Sequence, residues 1–126
     1  MKRLDLINQI IRRKEQIGIT VENLAKLSGV SVRTINRLLK NEDVKLSTIE
    51  CVTNLLGLDF AGNEQVSLSA LKRQRAHEKA LFLASIVQGT SALEMQGLED
   101  ENLKSIITSY EKEFLHGSYQ DTLWVA

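Results

Sequence analysis

Residues 29–40 read "GVSVRTINRLLK", and the reading of this stretch decides the fold. Gly29 supplies a turn position where positive φ costs least. Ser31 is a helix-capping side chain, placed to open a helix that runs to Lys40. Asn41 then tolerates the left-handed conformation that closes it. Within that helix Ile35 and Leu38 are spaced for burial, so Arg33, Asn36 and Arg37 project outward as a set.

Working outward, Thr20 caps a short helix through Leu27 or Ser28. Ala25 offers a small side chain where two helices cross closely, and Leu24, Val30, Ile35 and Leu38 form a shared core. A first helix is predicted from Arg3 to Gln16, with Leu4, Ile7 and Ile11 on its inner face and Gly18 at its end. Ser47-Thr-Ile-Glu50 is a capping box; the helix it opens carries Ile49, Val52 and Leu56 and stops at Gly57. Residues 61–66, AGNEQV, form a short polar connection. Leu68 to Gln88 is one long helix, striped by Ala76, Ala80, Leu83 and Val87. Gly89-Thr-Ser either breaks or kinks it, and a second capping box, Ser91–Glu94, restarts a helix that ends at Gly97. A last helix begins near Glu99 and repeats Leu103, Ile106, Ile107, Tyr110 and Phe114 on one face until Gly117. No segment alternates as a strand does, so the class is all-α.

Composition narrows the function. The 126 residues contain no proline and 43% hydrophobic side chains, as suits a folded helical chain. No apolar run approaches the roughly 20 residues that span a bilayer, so no membrane role is expected. A single cysteine, Cys51, points to a reducing cytoplasm and to a small buried hydrophobe. His77 and His116 stand alone, no phosphate-cradling glycine loop occurs, and neither catalysis nor a cofactor is expected. Net charge is zero, yet residues 1–60 carry 10 basic and 7 acidic side chains (+3), and residues 61–126 carry 6 and 9 (−3). Such asymmetry hints at two different partners.

A small crossing residue, a turn glycine and a shared core together make the helix-turn-helix pattern. In that motif the second helix enters the major groove with its N-terminal residues at base edges. "TVENLAKLSGVSVRTINRLLK" followed by "LSTIECVTNLLGLD" resembles the Cro/C1-type repressors, or XRE-type regulators, over roughly residues 4–60. The resemblance implies a lambda-repressor-like bundle at 1–60 that binds double-stranded operator DNA, usually as a homodimer. It departs from the family at Val21, where glutamine is frequent, and at Leu39, Asn41 and Lys45-Leu46, where glutamate, glycine and a proline are common. Carried over by position, Val32, Arg33, Asn36 and Arg37 would face bases, because arginine pairs two-pronged with guanine and asparagine with adenine. Thr20, Thr34, Lys40 and Lys45 would hold phosphates. The basic run Arg12-Arg13-Lys14 reads as a solvated helix end.

A helical module at 66–126 implies a second role, which could be dimerisation, capture of a partner, or ligand sensing. "RAHEKALFLASIVQGTSALEMQGLEDENLKSII", ending in "HGSYQDTLW", resembles the C-terminal part of small XRE-type proteins encoded beside toxins, which implies an antitoxin with a cognate toxin protein. Trp124 either docks onto its own domain or a dimer mate, or, with Leu123, is the partner-binding element, since tryptophan is enriched at binding hot spots.

Overall fold

A computed structural model describes residues 2–89 and 101–126. Among them the chain is all-helical, as expected: α1 (Arg3–Ile17), α2 (Val21–Ser28), α3 (Val32–Leu39), α4 (Leu46–Leu55), α5 (Leu68–Gln88) and α6 (Glu101–His116), then a single 3-10 turn at Gln120–Thr122. Leu58 and Glu64 form an isolated antiparallel bridge. The second capping box, Gly97 and Glu99 lie outside the described residues. Two compact units are present: Met1–Leu71 with Trp124–Ala126, and Lys72–Leu123.

In the first unit the caps fall where the side-chain chemistry puts them. Thr20 Oγ1 accepts the Asn23 N–H at 3.1 Å, and Ser31 Oγ accepts the Thr34 N–H at 3.1 Å. Gly29 takes φ +73°, which lets the Val30 N–H return to the Ala25 carbonyl (3.1 Å) and turns the chain sharply into α3. Leu24, Ala25, Ile35 and Leu38 are all buried, and α2 packs on both α3 and α4. On α1 the inner face is Leu6, Ile7, Ile10, Arg13 and Ile17. Leu4, expected inside with Ile7 and Ile11, is 51% exposed and Ile11 only half-buried, the buried face running through Leu6 and Ile10 instead.

Three other expectations need correction. α4 starts at Leu46, with Lys45 as its N-cap, so Ser47 is already inside the first turn and the Ser47–Glu50 box does not cap it. Cys51 is exposed on α4; Thr48, Ile49, Val52 and Thr53 take the inner positions instead. Arg13 is not solvated: it is only 4% exposed. Its Nε donates to the Leu56 carbonyl (2.9 Å), its Nη1 to Glu64 Oε1 (2.6 Å) and its Nη2 to the Val66 carbonyl. A single guanidinium therefore ties α1 to the end of α4 and to the chain beyond it, satisfying carbonyls that would otherwise be desolvated without partners. Gly57 makes room for this clamp. A Cβ there would lie 3.1 Å from Val66 Cβ and 3.3 Å from Arg13 Nη2, and its φ of +71° already disfavours other residues.

The 61–66 connection is accordingly an ordered loop. Asp59 Oδ1 accepts the N–H groups of Ala61 and Asn63 at 2.9 Å each. The Gln65 and Val66 N–H groups both return to the Gly57 carbonyl, at 2.9 and 3.0 Å. These bonds all lie within the first unit, which runs to Leu71.

The second unit is built differently. Ala80, Leu81 and Ala84 of α5 pack with Leu103 and Ile107 of α6, and Tyr110 joins them partly buried. The stripe drawn through Leu83 and Val87 is displaced: Val87 is 61% exposed. The α6 end is closed by Glu113, whose Oε2 accepts both the Ser118 N–H (3.0 Å) and the Ser118 hydroxyl (2.6 Å). Those bonds hold the Glu113 carboxyl below its ordinary pKa, the side-chain bond most. His77 Nδ1 meets Glu111 Oε1 at 2.9 Å, pairing α5 with α6. Arg75 donates from Nε to the Leu123 carbonyl at 2.8 Å.

Candidate nucleic-acid interface

The outward residues of α3 are placed by what anchors the inward ones. Ile35 is 0% and Leu38 1% exposed, which fixes the rotation of the helix. Val32, Arg33, Asn36 and Arg37 are consequently all exposed on its free side. Val32 is a large apolar side chain left 40% exposed at the first turn, beside two guanidiniums. That combination offers a methyl contact, two-pronged donors and an amide on one short helix, the set needed to tell base pairs apart in a major groove.

α3 also borders an open groove of about 640 Å³ between α3 and α4, lined by Ser31, Thr34, Arg37, Asp43, Lys45 and Ser47 among others, so that Arg37 belongs both to the free side and to the groove wall. Thr34 is half-buried there and accepts the Ser31 hydroxyl at 2.8 Å. Arg37 reaches across the groove mouth and donates from Nη2 to the Asp43 carbonyl at 2.9 Å. α4 begins at this groove with no side-chain cap, so its first-turn N–H groups and the helix dipole present positive potential beside Lys45 and Ser47. Groove and helix start suit an anion.

The expected positions are thus distributed unevenly. Lys45 and Thr34 share the groove with Arg37, whereas Lys40 is exposed at the C-cap of α3. Thr20 is exposed as the N-cap of α2, its oxygen already accepting the Asn23 N–H. Leu123 and Trp124 are buried, at 5% and 7% exposure, so the described chain covers the expected partner-binding pair itself. Ser47, a capping residue by its sequence, lines the groove instead. The signal that would have found it is the valine-lysine-leucine run before it, which has no better cap and starts the helix early. Among the described residues no group of three or more His, Cys, Asp or Glu is placed to hold a metal ion. Nor is any described helix long and apolar enough to cross a membrane.

Residues 10–62 match the model of the helix-turn-helix family, the region that contains α2, α3 and α4 entire. The match covers less than half of the chain; it supports an XRE-type helix-turn-helix and, with it, a DNA-binding transcription regulator. No curated protein and no solved structure matches the chain.

Proposed function

We propose that the protein is a sequence-specific repressor that reads a double-stranded operator through Val32, Arg33, Asn36 and Arg37 of α3. The observation that carries this reading is the exposure of those four side chains on a helix locked in rotation by Ile35 and Leu38. Thr34 and Lys45 serve the phosphate backbone from the α3–α4 groove, with Lys40 and Thr20 at its flanks; they give affinity and register. The protein acts in the cytoplasm as a homodimer whose two α3 helices read half-sites about one DNA turn apart.

The test is enrichment of a preferred duplex from a random pool by the full-length protein, followed by titration of that duplex and its single-base variants. Arg33→Ala is expected to lose roughly tenfold or more of discrimination at one base pair while leaving the thermal midpoint nearly unchanged. Unaltered discrimination in this variant would remove Arg33 from the base-reading set. Affinity should also fall steeply with salt, because phosphate neutralisation releases counterions.

The second unit is proposed to capture a protein partner, a cognate toxin, making the chain an antitoxin that represses its own operon. What supports a partner here is Phe82, Ile86 and Val87, three large apolar side chains near the end of α5, each about 60% exposed. Clustered exposed apolar area of this kind marks interaction surfaces more often than it marks idle ones. A plain dimeric repressor is the second reading, in which another copy of the chain covers the same residues. Full-length protein and the Phe82→Ser/Ile86→Ser variant, each used as bait in native lysate and each sized alone by light scattering, separate the two. A single stoichiometric protein lost with the variant supports capture; a dimer that becomes monomer, with nothing captured, supports the plain repressor.

A further inference from the structure

We infer that Arg3, at the start of α1 and outside the residues matched by the family, is a positioning residue for the base-reading surface. It fixes the turn after α3 from which Arg37 takes its orientation. The inference rests on α3 being the base-contacting helix.

The contacts form a short chain. Arg3 donates from Nε to Asn41 Oδ1 (2.8 Å) and from Nη2 to the Asn41 carbonyl (2.7 Å), and its Nη1 pairs with the Asp43 carboxylate. Every nitrogen of one guanidinium is thus committed to two residues of the same turn. Asn41 is, among the described residues, the non-glycine residue with positive φ, at +62°. The Asn41 N–H returns to the Leu38 carbonyl and the Glu42 N–H to the Arg37 carbonyl, both at 3.0 Å, so the turn is stitched to α3 as well. The Asp43 carbonyl that results is the acceptor for Arg37 Nη2 at 2.9 Å.

A guanidinium carries its donors in one rigid plane, so holding one corner aims the rest. Two-pronged recognition of guanine needs that plane set before contact, and a freely swinging arginine would lose rotamer freedom on binding. Stability alone does not account for the arrangement. The Arg3 and Asp43 side chains are 47% and 93% exposed, and exposed ion pairs contribute little. The geometry is what three acceptors on one turn provide.

The experiment uses full-length protein and the duplex enriched by the wild type. Binding to that duplex and to each single-base variant is measured at several salt concentrations for wild type, Arg3→Ala, Asp43→Ala, Asp43→Asn, Arg37→Ala and the Arg3→Ala/Arg37→Ala double variant. Arg3→Ala is expected to lose about three- to tenfold of discrimination at the base pair that Arg37→Ala relaxes. The double variant should be no worse than Arg37→Ala, and the salt slope should not change. Asp43→Ala should copy Arg3→Ala, and Asp43→Asn, which keeps an acceptor, should recover most of the loss. If Arg3→Ala fails to fold, the two Asp43 variants decide alone. Multiplying effects in the double variant, loss spread evenly over all positions, or a salt slope reduced by about one contact would each overturn the inference. An Arg37→Ala variant with wild-type discrimination overturns it together with the role of Arg37. A wild type that enriches no duplex overturns the DNA-binding reading itself.

Discussion

The side chains removed most completely from solvent in the first unit are large: Ile7, Ile10, Leu24, Ile35, Leu38 and Leu56. In the second unit α5 buries mainly alanine, at positions 76, 80 and 84, beside Leu81. Alanine lets helices approach closely but removes little apolar area from water, about 25 cal/mol for each Å². The second unit then leaves Phe82, Ile86 and Val87 outside, where the first leaves its exposed apolar residues scattered along the chain at Leu4, Val32, Leu46 and Phe60. Both units leave some large apolar side chains outside, but only in the second do three of them fall within six residues of one helix, and that contrast motivates assigning it the protein partner.

The largest effect should come from emptying the first core. Leu38→Ala removes a 1% exposed side chain beneath the base-reading helix and should cost about 3–4 kcal/mol in urea unfolding of the full chain. A loss under about 1 kcal/mol would mean that this core collapses easily and the contrast with the second unit is overstated. Next is the clamp. Arg13→Met leaves the Leu56 and Val66 carbonyls without their donor and should cost about 2–3 kcal/mol, with DNA binding intact wherever the fold survives. Were Arg13→Met to match the wild type, the residues beyond Gly57 would be held by something other than that guanidinium.

The reverse substitution tests the alanine face. Ala84→Leu overfills a position that is 0% exposed and should cost about 1–2 kcal/mol, read as an earlier unfolding midpoint. A stabilised variant would show a second core loose enough to take a leucine. The smallest effect is expected at the end of α6. Ser118 favours the charged form of Glu113 and depresses its pKa in the folded state. Its contribution is therefore present above the pKa of the unfolded carboxyl, about 4.3, and is lost as pH falls through the lower folded value. Glu113→Gln should lower the thermal midpoint slightly at neutral pH, and the gap to wild type should close in acid. A gap that widened in acid would contradict the sign of that shift.

Much of the first unit is legible because its signals are local. Thr20, Gly29, Ser31 and Asn41 act within a few residues of themselves, and each lies where its cap or left-handed turn is expected. The exposure of Arg33, Asn36 and Arg37 follows from the spacing of Ile35 and Leu38 alone. Arg13 escapes such reading for the opposite reason. Its three acceptors are 43 to 53 residues away in sequence, and nothing near it distinguishes it from Arg12, which is exposed. Ser47 misleads because a good capping residue does not fix a helix start when the preceding residues already adopt the turn; the Thr48 and Ile49 N–H groups bond the Lys45 carbonyl.

The sequence by itself determined the all-helical class, the helix-turn-helix and the outward face of α3, since periodicity and capping are properties of neighbours. Only the tertiary structure decided that Arg13 is buried, that Cys51 is not, that Leu123 and Trp124 are covered, and that Arg3 reaches Asn41 and Asp43. Those depend on which distant backbone groups come to need a partner, and that is settled only when the chain closes on itself.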